Sequence, residues 1–229
     1  MGWIGFVSWG RPSPIQGFFG AGAILIKLKL VQVKSCLYIC IMRFDDITQD
    51  GRLWAVRYDE QGDNALEIVF RDWNDINYLS TFFRNNINDL ECYFKITDIE
   101  LAINDTLADA EQLECVIFDL IPDVDLDVLF RPLDNLQASE FMLSKEKAKG
   151  HRINGHASWL RLYAIRFEHN SYLITGGAIK LTRTMAEREH TNQELTKLET
   201  VRQYLLDNGV SDLNSFKDYL TTDNNDKNN

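Results

Sequence analysis

The stretch WLRLYAIRFEHNSYLITGGAIKLT, residues 159–182, limits the folds open to this chain more than any other. Leu160, Leu162 and Ala164 alternate with Arg161, Tyr163, Ile165 and Phe167, the period of two that sends successive side chains to opposite faces of a strand. Arg166 falls on the first of these faces. EHNS then reads as a hairpin turn, YLITGG as the next strand, and AIKLT as a third strand or its continuation. Strands in this region have to find partners, so the chain needs a sheet.

The remaining elements are read around that hairpin. RLWAVRYDE alternates Leu53 and Ala55 with Trp54, Val56 and Tyr58, which predicts a strand. ALEIVF, residues 65–70, is read as a second, short strand. Asp72 is the expected N-cap of a helix whose apolar side holds Ile76, Leu79, Phe82 and Phe83. Thr97 with Glu100 forms a capping-box pattern ahead of a second helix, its inner side Ile99, Ile103, Leu107, Ala110 and Leu113, its end marked by Pro122. The acids of that helix are expected on a solvated outer face. Residues 121–156 read as loop, with DVLFRPL a short segment and SKEKAK a turn or small helix. MAEREHTNQELTKLETVRQYLLDNGV predicts a long helix closed at Asn208-Gly209, DLNSFKDYL a short one, and residues 221–229 a disordered tail. The expected fold is α+β: a small antiparallel sheet of strands near 53–59, 159–167 and 171–182, with helices of 73–86, 98–120 and 186–207 packed on it. Residues 42–220 form one domain in this reading.

Charge is segregated along the chain. The net charge is −10, which argues against nonspecific nucleic-acid binding by the whole surface. Residues 42–140 hold 7 basic and 23 acidic side chains, whereas residues 141–206 hold 11 basic and 6 acidic. Residues 1–41 are apolar, glycine-rich and free of acids, and Lys27, Lys29 and Lys34 interrupt them before a spanning length is reached. The composition changes abruptly at Met42. The expectation is that Met42 is the initiator and that 1–41 is an over-long reading frame, with a weak membrane-associating leader as the alternative. Cys36, Cys40, Cys92 and Cys115 form no CxxC pair, so reduced thiols in a cytoplasmic protein are expected, with no metal, no cofactor and no stable membrane association.

LYAIRF followed by GAIKLTRT resembles the C-terminal half of RelE/HigB-like toxins of type II toxin–antitoxin systems. Gly177, Ile179, Lys180, Thr182 and Thr184 stand where that family's glycine, aliphatic residue, lysine and threonine-rich turn fall, and RPLDNL resembles its linker into the sheet. Leu181 replaces the usual second lysine, and no proline follows Thr184. The resemblance implies a RelE-like domain that cleaves mRNA, on the ribosome or free, and is held in check by a helix-turn-helix antitoxin. It implies a basic patch of Arg161, Arg183, Lys147 and Arg152 for the RNA backbone. Arg166, Lys180, His156 and Tyr163 are the implied catalytic set, with cationic stabilisation of a phosphorane-like transition state in place of a metal. His151, His156 and His190 are the side chains with near-neutral titration. The GG pair 176–177 lacks phosphate-loop spacing and reads as a turn or bulge. A non-catalytic module of the same fold, binding a helix-turn-helix antitoxin or repressor, is the alternative.

Overall fold

The computed structural model describes residues 42–59, 62–118, 125–133, 143–150 and 154–226. The expected leader, the expected start at Met42, Pro122, His151 and Arg152 therefore bear on segments at or outside those limits. Among the described residues, six strands form one sheet: β1 (Arg43–Asp46), β2 (Leu53–Arg57), β3 (Phe130–Pro132), β4 (Ser144–Lys149), β5 (Leu160–Glu168) and β6 (Ser171–Ile179), in the spatial order β1-β2-β6-β5-β4-β3. The helices are α1 (Ala65–Asn74), α2 (Ile76–Asn85), α3 (Ile87–Phe94), α4 (Ile99–Phe118), α5 (Leu126–Leu129), α6 (Glu189–Asp207) and α7 (Leu213–Asp226). The order of strand, helices, strand meander and terminal helices is the α+β arrangement expected.

The sheet is mixed, which corrects the wholly antiparallel expectation. β2 runs parallel to β6 through Leu53↔Tyr172, Trp54↔Leu173 and Ala55↔Ile174, while every other pairing is antiparallel. A long crossover of helices and three strands separates β2 from β6, and such a connection can return a strand in the same direction.

The alternation along β5 holds residue by residue. Leu160, Leu162 and Ala164 pack with Leu53, Ala55 and Ile174 against α1 to α4, through Leu66, Trp73, Leu79, Phe83 and Leu113. Tyr163, Ile165 and Phe167 pack with Val56 and Leu173 against α6 and α7, through Leu198, Val201, Leu205 and Phe216. Each Leu, Ile, Val or Phe among them contributes about 1.5–3 kcal/mol when fully buried. A one-residue slip of β5 would exchange the two cores, so register is strongly specified.

Several local expectations are corrected. ALEIVF is the start of α1: the Asn64 side chain accepts the N–H groups of Leu66 (3.0 Å) and Glu67 (3.1 Å), and Glu67 Oε2 accepts the Asn64 N–H (2.8 Å). That capping box commits the segment to a helix burying Leu66, Val69, Phe70 and Trp73. Asp75, not Asp72, caps α2, and Asp98, not Thr97, caps α4. SKEKAK is strand β4, held between β3 and β5, with Glu146 and Ala148 buried. The last helix continues to Asp226, so the first six residues of the expected tail are helical. Among the described residues, no helix is long and apolar enough to cross a membrane.

Candidate nucleic-acid interface

Basic side chains gather at one end of the β4-β5-β6 meander. Lys149 lies opposite Arg161 and Arg161 opposite Ala178, while Lys147 lies opposite Tyr163 and Tyr163 opposite Gly176. Side chains in register share a face, so Lys147, Lys149 and Arg161 stand on the α6 side of the sheet. Lys180 extends the same row: it is two residues past Ala178, and its N–H still donates to Trp159 O at 2.8 Å.

The electrostatics agree with this crowding. Burial pulls the Lys180 ammonium below its usual range, and Arg161, Lys147 and Lys149 push it the same way while Glu187 opposes them. Burial, then Arg161, does the same to Lys149. Burial lowers the Arg161 guanidinium, with Tyr163 and Asp109 opposing. Arg161 donates from Nη1 to Ser158 O (2.7 Å) and Leu160 O (2.6 Å). Its Nε and Nη2 make no hydrogen bond among the described residues, which leaves the outer edge of the guanidinium for an acceptor.

His156 sits on the loop that enters β5 at this same end. Its Nε2 faces Asp105 Oδ2 at 3.0 Å and its Nδ1 faces Ala157 O at 3.0 Å. The ring stacks on Trp159, centroids 4.4 Å apart and 12° from parallel, and meets the edge of Phe94. Helix α4 anchors the loop. Asn154 Nδ2 donates to Asp105, Trp159 Nε1 to Thr106 Oγ1 (2.9 Å), and Ser158 Oγ to Asp109. Asp105 and Asp109 are therefore buried, which corrects the expectation of a fully solvated acidic face. One turn of helix presents them at i and i+4, and the polar loop supplies the donors that make their burial tolerable.

The expected catalytic set is only partly assembled. Lys180 and His156 belong to this end of the sheet, and Tyr163 lies beneath it. Tyr163 is completely buried, its hydroxyl has no hydrogen-bond partner among the described residues, and burial pushes its ionisation upward. Arg166 is elsewhere. It lies five residues along β5 from Arg161 and on the opposite face, and donates to Asp127 Oδ2 at 2.8 Å. Asp127 also accepts from the Tyr172 hydroxyl (2.5 Å) and the Asn170 N–H (3.0 Å), so Arg166 locks the β5-β6 turn. Of the expected RNA-binding residues, Arg161 and Lys147 join the cluster and Arg183 is exposed in the turn after it. Lys180 Nζ steadies that turn by donating to Thr182 O (2.9 Å) and Arg183 O (2.5 Å). Arg152 lies outside the described residues.

Three contributors escaped the sequence reading: Lys149, Asp105 and Glu194. Lys149 had a signal, the period-two lysines of SKEKAK. Asp105 and Glu194 had none, because each looks like helix-surface charge until the partner elements are placed. The glycine pair follows a bulge: Gly177 and Gly176 stay in register with Leu162 and Tyr163, and the register then shifts to Ala164↔Ile174, which leaves Thr175 as the extra residue of β6. The Glu194 carboxylate lies against Gly176, where a Cβ would overlap it. Asp125, Asp127 and His169 have metal-ligand spacing, but Asp127 is already committed to Tyr172, Arg166 and Asn170. Comparison with protein-family models, curated proteins and solved structures finds no match to this chain.

Proposed function

We propose that this chain is an endoribonuclease of the RelE/HigB-like toxin class, gripping an RNA backbone at the cationic end of its meander and restrained by a helix-turn-helix partner. The carrying observation is that Lys147, Lys149, Arg161 and Lys180 come from neighbouring strands to one end and one face of the sheet. Arginine and lysine concentrated on one face of an acidic protein attract a polyanion that the rest of the surface repels. In this reading the cations hold the phosphate and spread the charge that builds as the 2′-hydroxyl attacks it. His156, oriented by Asp105 and stacked on Trp159, is the proton carrier for that hydroxyl or for the departing 5′-oxygen. Arg166 has no part in it.

Binding without cleavage is the second reading. It is favoured by the engagement of Lys180 with two backbone carbonyls, which gives that lysine a structural role. Expression of the chain in bacteria, with mRNA levels followed, separates the two. Growth arrest and mRNA loss, both relieved by H156A and R161A with folding intact, are the expected results. Harmless expression, with no RNA shift at low salt and retained binding to a helix-turn-helix partner, refutes the nuclease.

A further inference from the structure

Strand β1 ends one side of the sheet, and among the described residues no strand pairs with its outer edge. Its pairing with β2 shows which backbone groups face outward. Arg43↔Arg57, Phe44↔Val56, Asp45↔Ala55 and Asp46↔Trp54 are in register, and the Ile47 N–H donates to Leu53 O at 2.8 Å in that same register. Hydrogen-bonded and non-hydrogen-bonded pairs alternate along an antiparallel ladder, so Arg43 and Asp45 turn their N–H and C=O groups to β2. Phe44 and Asp46 turn theirs outward.

An open edge is a template for another strand, and a short, charged edge such as RFDD discourages chance partners. Here the charges are placed so as to admit one. Phe44 packs on Phe216 of α7, ring centroids 5.2 Å apart, whereas Asp45 accepts from the Asn64 cap of α1 at 3.1 Å. Phe44 and Asp46 therefore share the α7 face of the sheet, and Arg43 and Asp45 the α1 face. Asp45 Oδ2 also accepts from Arg57 Nη2 (2.5 Å) and Nε (3.1 Å). Oδ1 receives only Arg57 Nε, at 3.4 Å, among the described residues, and the side chain is 28 % exposed. Arg43 stands directly across from Arg57, a like-charge pair that a further carboxylate would relieve.

We propose that β1 pairs with β1 of a second copy of this chain, antiparallel about a two-fold axis at Phe44. Such an axis is perpendicular to the sheet, so residues opposite each other across it must share a face. An axis at Arg43, Asp45 or Asp46 sets a charge against its own copy, which is destabilising. At Phe44 the two Phe44 residues exchange N–H and C=O. Arg43 of each copy then stands opposite Asp45 of the other, in the non-hydrogen-bonded position where side chains lie closest. On the α7 face the two phenyl rings meet beside an open groove of about 630 Å³, walled by Phe44, Trp54, Lys217 and Leu220. The cationic ends of the two copies point in opposite directions, so the inference does not depend on the RNA-binding reading.

Sedimentation velocity of the full chain over a concentration series should show a monomer–dimer equilibrium that weakens as salt is raised. Arg43→Asp should raise the dimer dissociation constant about ten-fold or more, because both ion pairs become carboxylate against carboxylate. Asp45→Arg should do the same, and an equimolar mixture of the two variants should recover dimers, since each opposing pair is complementary again. Urea unfolding checks that each variant is folded. If Asp45→Arg, which also removes the Arg57 and Asn64 contacts, does not fold, Arg43→Asp decides alone. Amide hydrogen exchange by NMR identifies the edge: the Phe44 and Asp46 N–H groups should be protected in the dimer and exposed in Arg43→Asp, with those of residues 43 and 45 protected in both. A monomer at every concentration, the result if a strand of a different protein uses this edge, overturns the proposal. So does a dimer that Arg43→Asp leaves intact, or one in which Phe44 and Asp46 exchange as fast as in that variant. Two folded variants that stay monomeric when mixed overturn it as well.

Discussion

Replacing Asp127 by Ala should cost about 3 kcal/mol of stability and leave RNA binding intact. The carboxylate joins the first turn of α5 to the β5-β6 turn by accepting from the Tyr172 hydroxyl (2.5 Å), Arg166 Nη2 (2.8 Å) and the Asn170 N–H (3.0 Å). Tyr172 is 1 % exposed, so its hydroxyl has no access to solvent as a substitute, a loss of roughly 1–3 kcal/mol. The Arg166 and Asp127 side chains are 25 % and 21 % exposed, so their ion pair adds only up to about 1 kcal/mol. The Asn170 amide adds about 1 kcal/mol more. Urea unfolding of the full chain at neutral pH, with an unchanged m-value, measures the sum.

The same site sets the pH dependence. Burial alone would raise the Asp127 carboxyl, but the Tyr172 hydroxyl, the Asn170 amide and Arg166 together hold it below its ordinary value of 3.8. A group depressed in the folded state stabilises fully above its unfolded pKa and loses that contribution as pH falls through the folded one. The gap between wild type and D127A should therefore narrow on acidification below about pH 4. Tyr172→Phe should cost about 1 kcal/mol, and less than that in the D127A background. A neutral-pH loss under about 1 kcal/mol, or a gap that widens in acid, refutes the reasoning.

Arg161→Ala and Lys149→Ala should each reduce the salt dependence of single-strand RNA binding by a slope of roughly 0.7, whereas Arg166→Ala should not change it. Filter binding across a salt series measures this, and an effect of Arg166 equal to that of Arg161 would count against the assigned face. Gly177→Ala should destabilise by about 1–3 kcal/mol, because a Cβ there would lie 2.8 Å from Arg161 O and 2.9 Å from Val69 Cγ1. Thermal melts showing no loss would mean that α1 can move off the strand. A chain begun at Met42 should unfold at the same urea concentration as the full chain, since the described residues from Met42 to Phe216 already supply both cores. A deficit of several kcal/mol, out of roughly 5–15 for a domain, would show that the first 41 residues join the core.

Local chemistry made part of this protein legible from its sequence. The alternation along 160–167 set both faces of β5, and Asn208-Gly209 marked the end of α6, because side-chain direction in a strand and helix termination are decided within a few residues. The resemblance around GAIKLTRT pointed to Lys180, and the basic bias of residues 141–206 matches the end of the sheet where Lys147, Lys149 and Arg161 gather. Other elements depend on partners distant in sequence. SKEKAK is a strand because β3 and β5 flank it, and nothing in four charged residues out of six announces that. Short apolar runs such as ALEIVF satisfy helix and strand periods alike, and here the cap at Asn64 decides for the helix.

The functional assignments divided along the same line. Arg161 and Arg166 are the same residue type on one strand, yet one meets lysines at the meander's end and the other is bound by Asp127 on the opposite face. Asp105 and Glu194 carry the sequence signature of solvated helix charge, and only packing put one beneath His156 and the other against Gly176. Sequence spacing specifies where a side chain points along its own element. Which group it faces is decided by contacts across tens of residues, and those contacts exist only once the two cores have closed on the sheet.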